Sequence, residues 1–390
     1  MAAAEGVGVK GRSVVLVGTG ADRDPEDAHK WIAAAGANAL HSYFVDHATG
    51  QLTLGAKVPV AAGTNPMAIR VSGNTVFSVD MDSAEPKINS FHLDRGSGDL
   101  KPAATVATGG GPCHLSIGRS GDTTLLFVAH YTGGSVGVHR ILAGGTLSEA
   151  TCVVEHSKEG MPLPHPRQDV SHPHGVTLSA DGRYLYVPDL GRNSVYSYSV
   201  DYAAGTLALI AECTLSRAGA GPRHVALGND RAYAVCELDN TVVAFTVDPG
   251  TGTLTESSWA STLPDGYDDP PPFDFYDAPS HAAGILFDAE AGRVYATNRG
   301  HDSIAVLSVD GDELKLVGNV HTEGRLPWTI ERVPGTNLLL TSNQFNAGLA
   351  DPGNVALFAV SGDSEMPTFV GTRGFVTLPK VMCAHAAPLE

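Results

Sequence analysis

Two imidazoles stand one residue apart in SHPHG, at His172 and His174, and GPRH sets Arg223 beside His224. A carboxylate follows at Glu237 in VCEL, and a further guanidinium at Arg299 in TNRG. These residue types suit proton transfer next to bound negative charge: imidazole or carboxylate takes a proton from water, and arginines hold an oxyanion or the substrate's own anion. The rival reading of His-x-His is a site for Zn²⁺ or Fe²⁺. It is the weaker reading, because Pro173 puts the pair at a strand start and no second pair at fixed spacing accompanies it. Taken singly, His114, His130 and His281 read as polar turn residues. Glu237 also reads as a rim carboxylate paired with Arg223, and Arg299 as a cap on channel carbonyls. There is no phosphate-binding P-loop, G-x-S-x-G elbow or HExxH helix, and GTGADR lacks the third glycine and the βαβ context of a dinucleotide site.

The elements that must position these residues emerge from an internal repeat. Each unit opens on a Pro or His, as in NPMAIRV, GPCHLSI, HPHGVTL, GPRHVAL, HAAGILF and LPWTIER. A second strand follows (VFSVD, LLFVAH, YLYVPDL, AYAVCEL, VYATNRG, LLLTSNQ), then a third such as VYSYSVD or IAVLSVD, and several units close on a TGxL turn and a fourth. Alternation has period two, and β-branched and aromatic residues dominate. A spacing of about 45 to 60 residues suits four-stranded propeller blades. Six units are complete, and the tail PKVMCAHA supplies a first strand to SVVLVGT, ALHSYFVD and LTLGAKV near the start. The expected fold is therefore all-β, a seven-bladed β-propeller whose closing blade is shared between N- and C-terminal strands. Residues 1–390 form one domain in this reading, with 1–11 a flexible extension and ADRDPEDAHKWIAAAGAN a loop with at most a helical turn.

Consecutive strands of a blade run antiparallel, so first-strand starts and second-strand ends share one face of the ring. That step brings His114, His172, His174, Arg223, His224 and His281 together with His130, Asp189, Glu237, Asn298, Arg299 and Asn343 at the channel mouth. An insertion, SKEGMPLPHPRQDVS, adds Arg167, and a second, DGYDDPPPFDFYDAPS, precedes His281.

A net charge of −17 without any Lys/Arg cluster argues against a nucleic-acid or anionic-membrane surface, yet leaves room for an anionic small molecule held by a few converging arginines. Five scattered cysteines without CxxC fit a reducing compartment. No stretch reads as a signal peptide or membrane span, so the expected location is cytoplasmic.

RQDVSHPHGVTLSADGRYLYVPDLGRNSVYSY, GPRHVAL, AVCELDNTVVAF and VYATNRGHDSIAVLSVD together resemble the seven-bladed lactonase family. That family includes propeller-type 6-phosphogluconolactonases and fungal 3-carboxy-cis,cis-muconate lactonizing enzymes, and the resemblance covers essentially the whole chain. It implies catalytic roles for His174, Arg223 and Glu237 and anion binding by Arg299. Arg167, His172, His224, His114, Asp189 and Asn343 complete the expected substrate contacts. The sequence departs from the family at Gly284, where an acidic residue is common, and in the shortened turn LGNDRAY. Three functions stay open: a lactonase needing no metal or cofactor and acting on an anionic sugar lactone, a cycloisomerase joining such a ring from its open acid, and a non-catalytic propeller that binds a ligand or protein.

Overall fold

The computed structural model describes residues 11–20, 22–23, 31–32, 38–60, 65–81, 85–156, 164–228, 230–267, 280–346, 351–361 and 365–389. The described strands form seven blades. The closing blade has the expected composite order, Val381–Pro388, Arg12–Thr19, Ala39–Asp46, Leu52–Pro59, with Ser13 opposite Pro388 and Gly18 opposite Cys383. The first blade follows as Pro66–Ser72, Thr75–Asp80, Lys87–Leu93, Leu100–Ala107, and the second as Pro112–Ser120, Thr123–His130, Ser135–Ile141, Leu147–Glu155. The third is Thr177–Leu178, Tyr184–Asp189, Ser194–Asp201, Thr206–Thr214, and the fourth is Pro222–Leu227, Arg231–Cys236, Thr241–Val247, Leu254–Ser261. His281–Asp288, Arg293–Arg299, Ser303–Asp310 and Glu313–His321 make the fifth. In the sixth, Arg325–Arg332, Leu338–Phe345 and Gly353–Ala359 carry an outer edge split into Thr368–Phe369 and Phe375–Leu378.

Burial peaks at the second strand of a blade and falls off toward the outer edge. Every residue of Thr75–Asp80 and Tyr184–Asp189 is buried, whereas Leu254–Ser261 after its buried first residue alternates exposed and half-buried. A central strand is covered on both faces by neighbouring blades, so its sequence is a continuous apolar run, and the outer strand faces water on one side. The core is accordingly divided among the seams. Tyr184, Tyr186 and Val195 pack on Ala234, Val243 and Phe245 between the third and fourth blades, and comparable clusters fill the other six seams. Each fully buried side chain of this size contributes roughly 1.5–3 kcal/mol.

The innermost strands hold a feature that the alternation pattern hides. Pro66 pairs with Asp80 but Ala68 pairs with Val79, so Met67 is an extra residue. The same slip leaves Cys113, Arg223, Trp328 and Met382 as extras in four more blades. In the third blade Pro173 makes an isolated bridge to Asp189 and pairing resumes at Thr177, skipping His174 to Val176. In the fifth, Ala283 and Gly284 face Thr297 alone. Such bulges bend a strand and re-aim a side chain, and the residue preceding five of them is a proline, which has no N–H for the ladder. The sequence reading took these segments as plain strand starts.

Turns after the second strands tie each blade to the next. Asn193, Asn240 and Asp302 all adopt left-handed backbone, with φ of 55°, 54° and 56°, a conformation that short polar side chains tolerate. Asn193 Nδ2 donates to Arg217 O at 2.8 Å, and its Oδ1 accepts from Gly221 N at 3.0 Å. Asn240 reaches Ser280 O, and Asp302 accepts from Leu326 N, each at 2.8 Å.

Within ADRDPEDAHKWIAAAGAN, residues 22–23 and 31–32 pair as a short antiparallel ribbon, and the rest lies outside the described residues except Asn38. Residues 1–10, and 157–163 and 268–279 of the two long insertions, lie outside them as well. Among the described residues no helix is long and apolar enough to cross a membrane.

Candidate active site

Six of the re-aimed residues, Met67, Cys113, His174, Arg223, Trp328 and Met382, line one central cavity of about 610 Å³. Blades three and four contribute His174 and Arg223 to its wall. Directly behind Arg223 stands Glu237, 1% exposed, whose carboxylate gathers three arginines. Arg223 Nε donates to Oε2 at 2.9 Å, Arg299 Nη2 reaches Oε2 at 2.8 Å, and Arg167 Nη1 donates to Oε1 at 2.6 Å. Three guanidiniums around one carboxylate leave two positive charges in excess.

Local structure explains why Glu237 is free to do this. The acidic residues closing other second strands anchor the start of their own blade: Asp80 accepts from Asn65 N at 2.8 Å, and Asp189 from His172 N at 2.7 Å. In the fourth blade that backbone duty falls to Asn193, which accepts from Gly221 N. Glu237 turns to the arginines instead.

Electrostatics separate the roles of the two candidate bases. Burial opposes the charge of Glu237, but Arg299, Arg167 and Arg223 outweigh it and hold the carboxyl well below its usual range. His174 is pushed well below the usual imidazole range by burial and by Arg223, with Glu237 working the other way. Near neutral pH the site therefore holds a permanent anion and a neutral imidazole. His174 Nε2 lies 3.8 Å from Glu237 Oε2, and its Nδ1 3.9 Å from Cys113 Sγ. Arg223 Nη1 donates to Ala283 O at 3.1 Å and stands 3.2 and 3.3 Å from the nitrogens of His224. Arg299 Nε reaches His281 O at 3.3 Å, so it both caps carbonyls and pairs with Glu237. Trp328 lies under Arg299 and Arg223, 4.7 and 5.7 Å from its ring centre. Arg167 arrives from the inserted segment through the short turn Pro166–Gln168, its Nη2 3.2 Å from His281 Nδ1, and is the one cluster arginine a third exposed.

His114 and His224 also line the cavity, their rings 4.6 Å apart, and burial keeps both well below the usual imidazole range. Asp189, Asn343 and His172 are not among the residues lining the cavity, and neither are Glu237, Arg299 and Arg167. Asp189 is fully buried and committed to His172 N, Arg192 N and His156 Nδ1. Asn343 Nδ2 donates to Thr322 O and Asn354 Oδ1. His172 stacks on Tyr131 at 4.4 Å, and its Nδ1 lies 3.0 Å from Tyr131 O. Tyr131 thus packs on both histidines, edge-on to His174 at 5.1 Å, but only His174 lines the cavity, and among the described residues no group of three or more His, Cys, Asp or Glu is placed to hold a metal ion.

Residue types alone did not single out Cys113, Trp328, Arg70, Glu331 or His385, all of which line the cavity. Cys113 and Trp328 carry a signal in retrospect, since each directly follows a strand-opening proline.

The description "Lactonase, 7-bladed beta-propeller" belongs to a family model matching residues 16–385. The 6-phosphogluconolactonase of Bacillus subtilis (strain 168) is 28% identical over 355 residues, covering 89% of this chain and 94% of that protein. The protein of the same name from Formosa agariphila is 25% identical over 319 residues, with 79% and 86% covered. Among solved structures, a protein from Lactobacillus plantarum superposes with a TM-score of 0.79 at 26% identity, over 96% of this chain and 99% of that one. The periplasmic gluconolactonase of Pseudomonas aeruginosa shares the fold, with a TM-score of 0.76 at 24% identity over 97% and 100% of the two chains. A seven-bladed ring with a composite closing blade, matched by that model almost from end to end, places this chain in the seven-bladed β-propeller lactonase family, as a lactone hydrolase.

Proposed function

We propose that the chain hydrolyses a sugar lactone of the 6-phosphogluconolactone type without a metal, with His174 as base and Arg223 as oxyanion ligand. Arg167 and Arg299 supply the remaining positive charge for the substrate's phosphate. The observation that carries this reading is the cluster of three arginines on one buried carboxylate, with a neutral imidazole beside it. His174 takes a proton from water as its oxygen bonds to the lactone carbonyl carbon, and the developing oxyanion faces Arg223. As the ring C–O bond breaks, the imidazolium returns that proton to the leaving oxygen. Glu237, held ionised by its arginines, stabilises the transient imidazolium 3.8 Å away and keeps the guanidiniums in place. It positions the site and is a poor base. The relatives named 6-phosphogluconolactonase support the choice of substrate. All five cysteines are free thiols, which supports a reducing compartment such as the cytoplasm.

The test is to follow ring opening of 6-phosphoglucono-δ-lactone and of glucono-δ-lactone by NMR, with and without a strong chelator. The phosphorylated substrate should have a kcat/KM about 100-fold higher, equivalent to two or so charge-assisted hydrogen bonds, and the chelator should leave it unchanged. Equal rates would overturn the anion assignment, and loss on chelation would overturn metal independence.

A further inference from the structure

Three residues past the bulge, each inner strand presents one more residue to the channel. In the second, third and fifth blades these are Ser116, Thr177 and Leu286, and the fourth has Ala226 at the equivalent position, outside the cavity lining. In the first, sixth and closing blades they are Arg70, Glu331 and His385, so charge is confined to three consecutive blades. Those blades lie across the ring from His174 and Arg223, and the two groups line the same cavity. His385 Nδ1 is 2.9 Å from Glu331 Oε2, Ala386 N donates to that oxygen at 3.0 Å, and Arg70 Nη1 is 3.5 Å from Oε1. The Glu331 side chain keeps 23% of its surface exposed and Arg70 27%, in contrast to the sealed Glu237. Burial opposes its charge, but His385 and Arg70 outweigh it and hold Glu331 below the usual carboxyl range.

Arg70 also keeps a donor for a ligand. Its Nη2 is 3.1 Å from His114 Nε2, while Val176 N donates to Nδ1 of the same ring at 3.2 Å. A neutral imidazole accepts at one nitrogen only. With Nδ1 serving a buried backbone N–H, Nε2 carries the hydrogen and cannot accept from Arg70. The wall therefore offers carboxylate acceptors next to a guanidinium donor, the pairing that a sugar diol satisfies through its O–H groups and oxygen lone pairs.

The shape of a six-membered sugar lactone fits this division. Its ring oxygen joins the carbonyl carbon to the carbon bearing the phosphorylated arm, so carbonyl and phosphate share one edge, and the free hydroxyls occupy the opposite edge. We propose that Glu331 and Arg70 form a hydroxyl-recognition subsite, reading the edge of a polyhydroxylated lactone that faces away from His174 and Arg223. The subsite deepens the functional reading above and rests on it for the substrate's orientation. It would select sugar lactones against lactones of similar charge that lack hydroxyls.

The experiment compares 6-phosphoglucono-δ-lactone, its 3-deoxy counterpart and glucono-δ-lactone in the wild type, Glu331→Gln and His385→Asn. The wild type should prefer the 3-hydroxylated phosphorylated lactone over the deoxy compound by about 30-fold, within the range of a charge-assisted hydrogen bond. Glu331→Gln should lower kcat/KM for the hydroxylated substrate by about tenfold, mainly through KM, and shrink that preference to about threefold or less. His385→Asn keeps the carboxylate but removes its partner, so it should move the preference in the same direction by a smaller factor, and it serves if Glu331→Gln folds poorly. Equal losses on both phosphorylated substrates, or an unchanged preference, would overturn the subsite. A wild type that opens glucono-δ-lactone as fast as its phosphate ester yet keeps the hydroxyl preference would overturn the anion assignment and leave the subsite standing. Failure to open any of the three would overturn both.

Discussion

Glu237 has the composition of a base and the surroundings of a structural anion. Both oxygens are taken by arginines at 2.6–2.9 Å, so its charge organises the cluster. Glu237→Gln should leave the buried guanidiniums of Arg223 and Arg299, and the partly exposed one of Arg167, facing an amide and cost about 3–5 kcal/mol, the usual penalty for breaking a buried ion pair from one side. Urea unfolding measures this. In the proposed mechanism the base is His174, and its protonation would set the acid limb of the rate profile. Because burial and Arg223 hold its pKa well below 6.5, the neutral form persists as pH falls through 6.5. The pH profile of kcat/KM should stay flat through that value and decline only well below it, and a midpoint at 6.5 or higher would contradict the assignment. Asp189 and Asn343 show what residue type cannot reveal. Their commitments run to His156 and Thr322, 33 and 21 residues away, and only the folded ring makes those distances short.

Individual strands were legible because a blade buries its residues by position. Continuous apolar runs such as YLYVPD mark second strands, and alternation marks outer ones. The bulges were not legible from alternation, which survives on both sides of a one-residue slip. Their trace is the residue after each strand-opening proline, and the proposed catalytic pair His174 and Arg223 occupies that place in adjacent blades. The mid-channel group was hidden for a related reason: Arg70, Glu331 and His385 each read as one polar residue of an ordinary half-buried strand. The turn at Asn193 is the element that sets where Arg223 begins. Asn193→Ala removes its hydrogen bonds to Arg217 O and Gly221 N and leaves a residue that tolerates left-handed backbone less well than Asn. A loss of about 2–4 kcal/mol is expected, with kcat reduced because Arg223 shifts. Asn193→Gly keeps the backbone conformation, so it should lose only the hydrogen-bond part; equal losses in the two variants would show that conformation contributes nothing.

As a whole, the ring closes through strands from opposite ends of the chain, and its stability is shared among seven seams. Deleting 381–390 would expose the edge of Arg12–Thr19 and strip the seam of Val15, Val17 and Val381, so thermal unfolding should lose its single cooperative transition. Stability should also depend on pH through buried histidines. Burial, with Lys57 nearby, lowers His41 to about 4, and burial with His139 nearby lowers His130 to about 4. Between pH 6.5 and 4 the unfolded chain binds protons that the folded one refuses, so this stability is complete above 6.5 and lost as pH falls through that window. A melting temperature unchanged between pH 7 and pH 4.5 would contradict it. The most direct test of the account is the turnover of 6-phosphoglucono-δ-lactone by His174→Gln and Arg223→Met, measured by NMR above spontaneous ring opening on variants whose folding is checked by circular dichroism. A fall in kcat of about 10²–10⁴ in each folded variant is predicted from loss of the base or of the oxyanion ligand; a folded variant retaining kcat within about threefold of wild type, well inside that margin, would contradict the assignment.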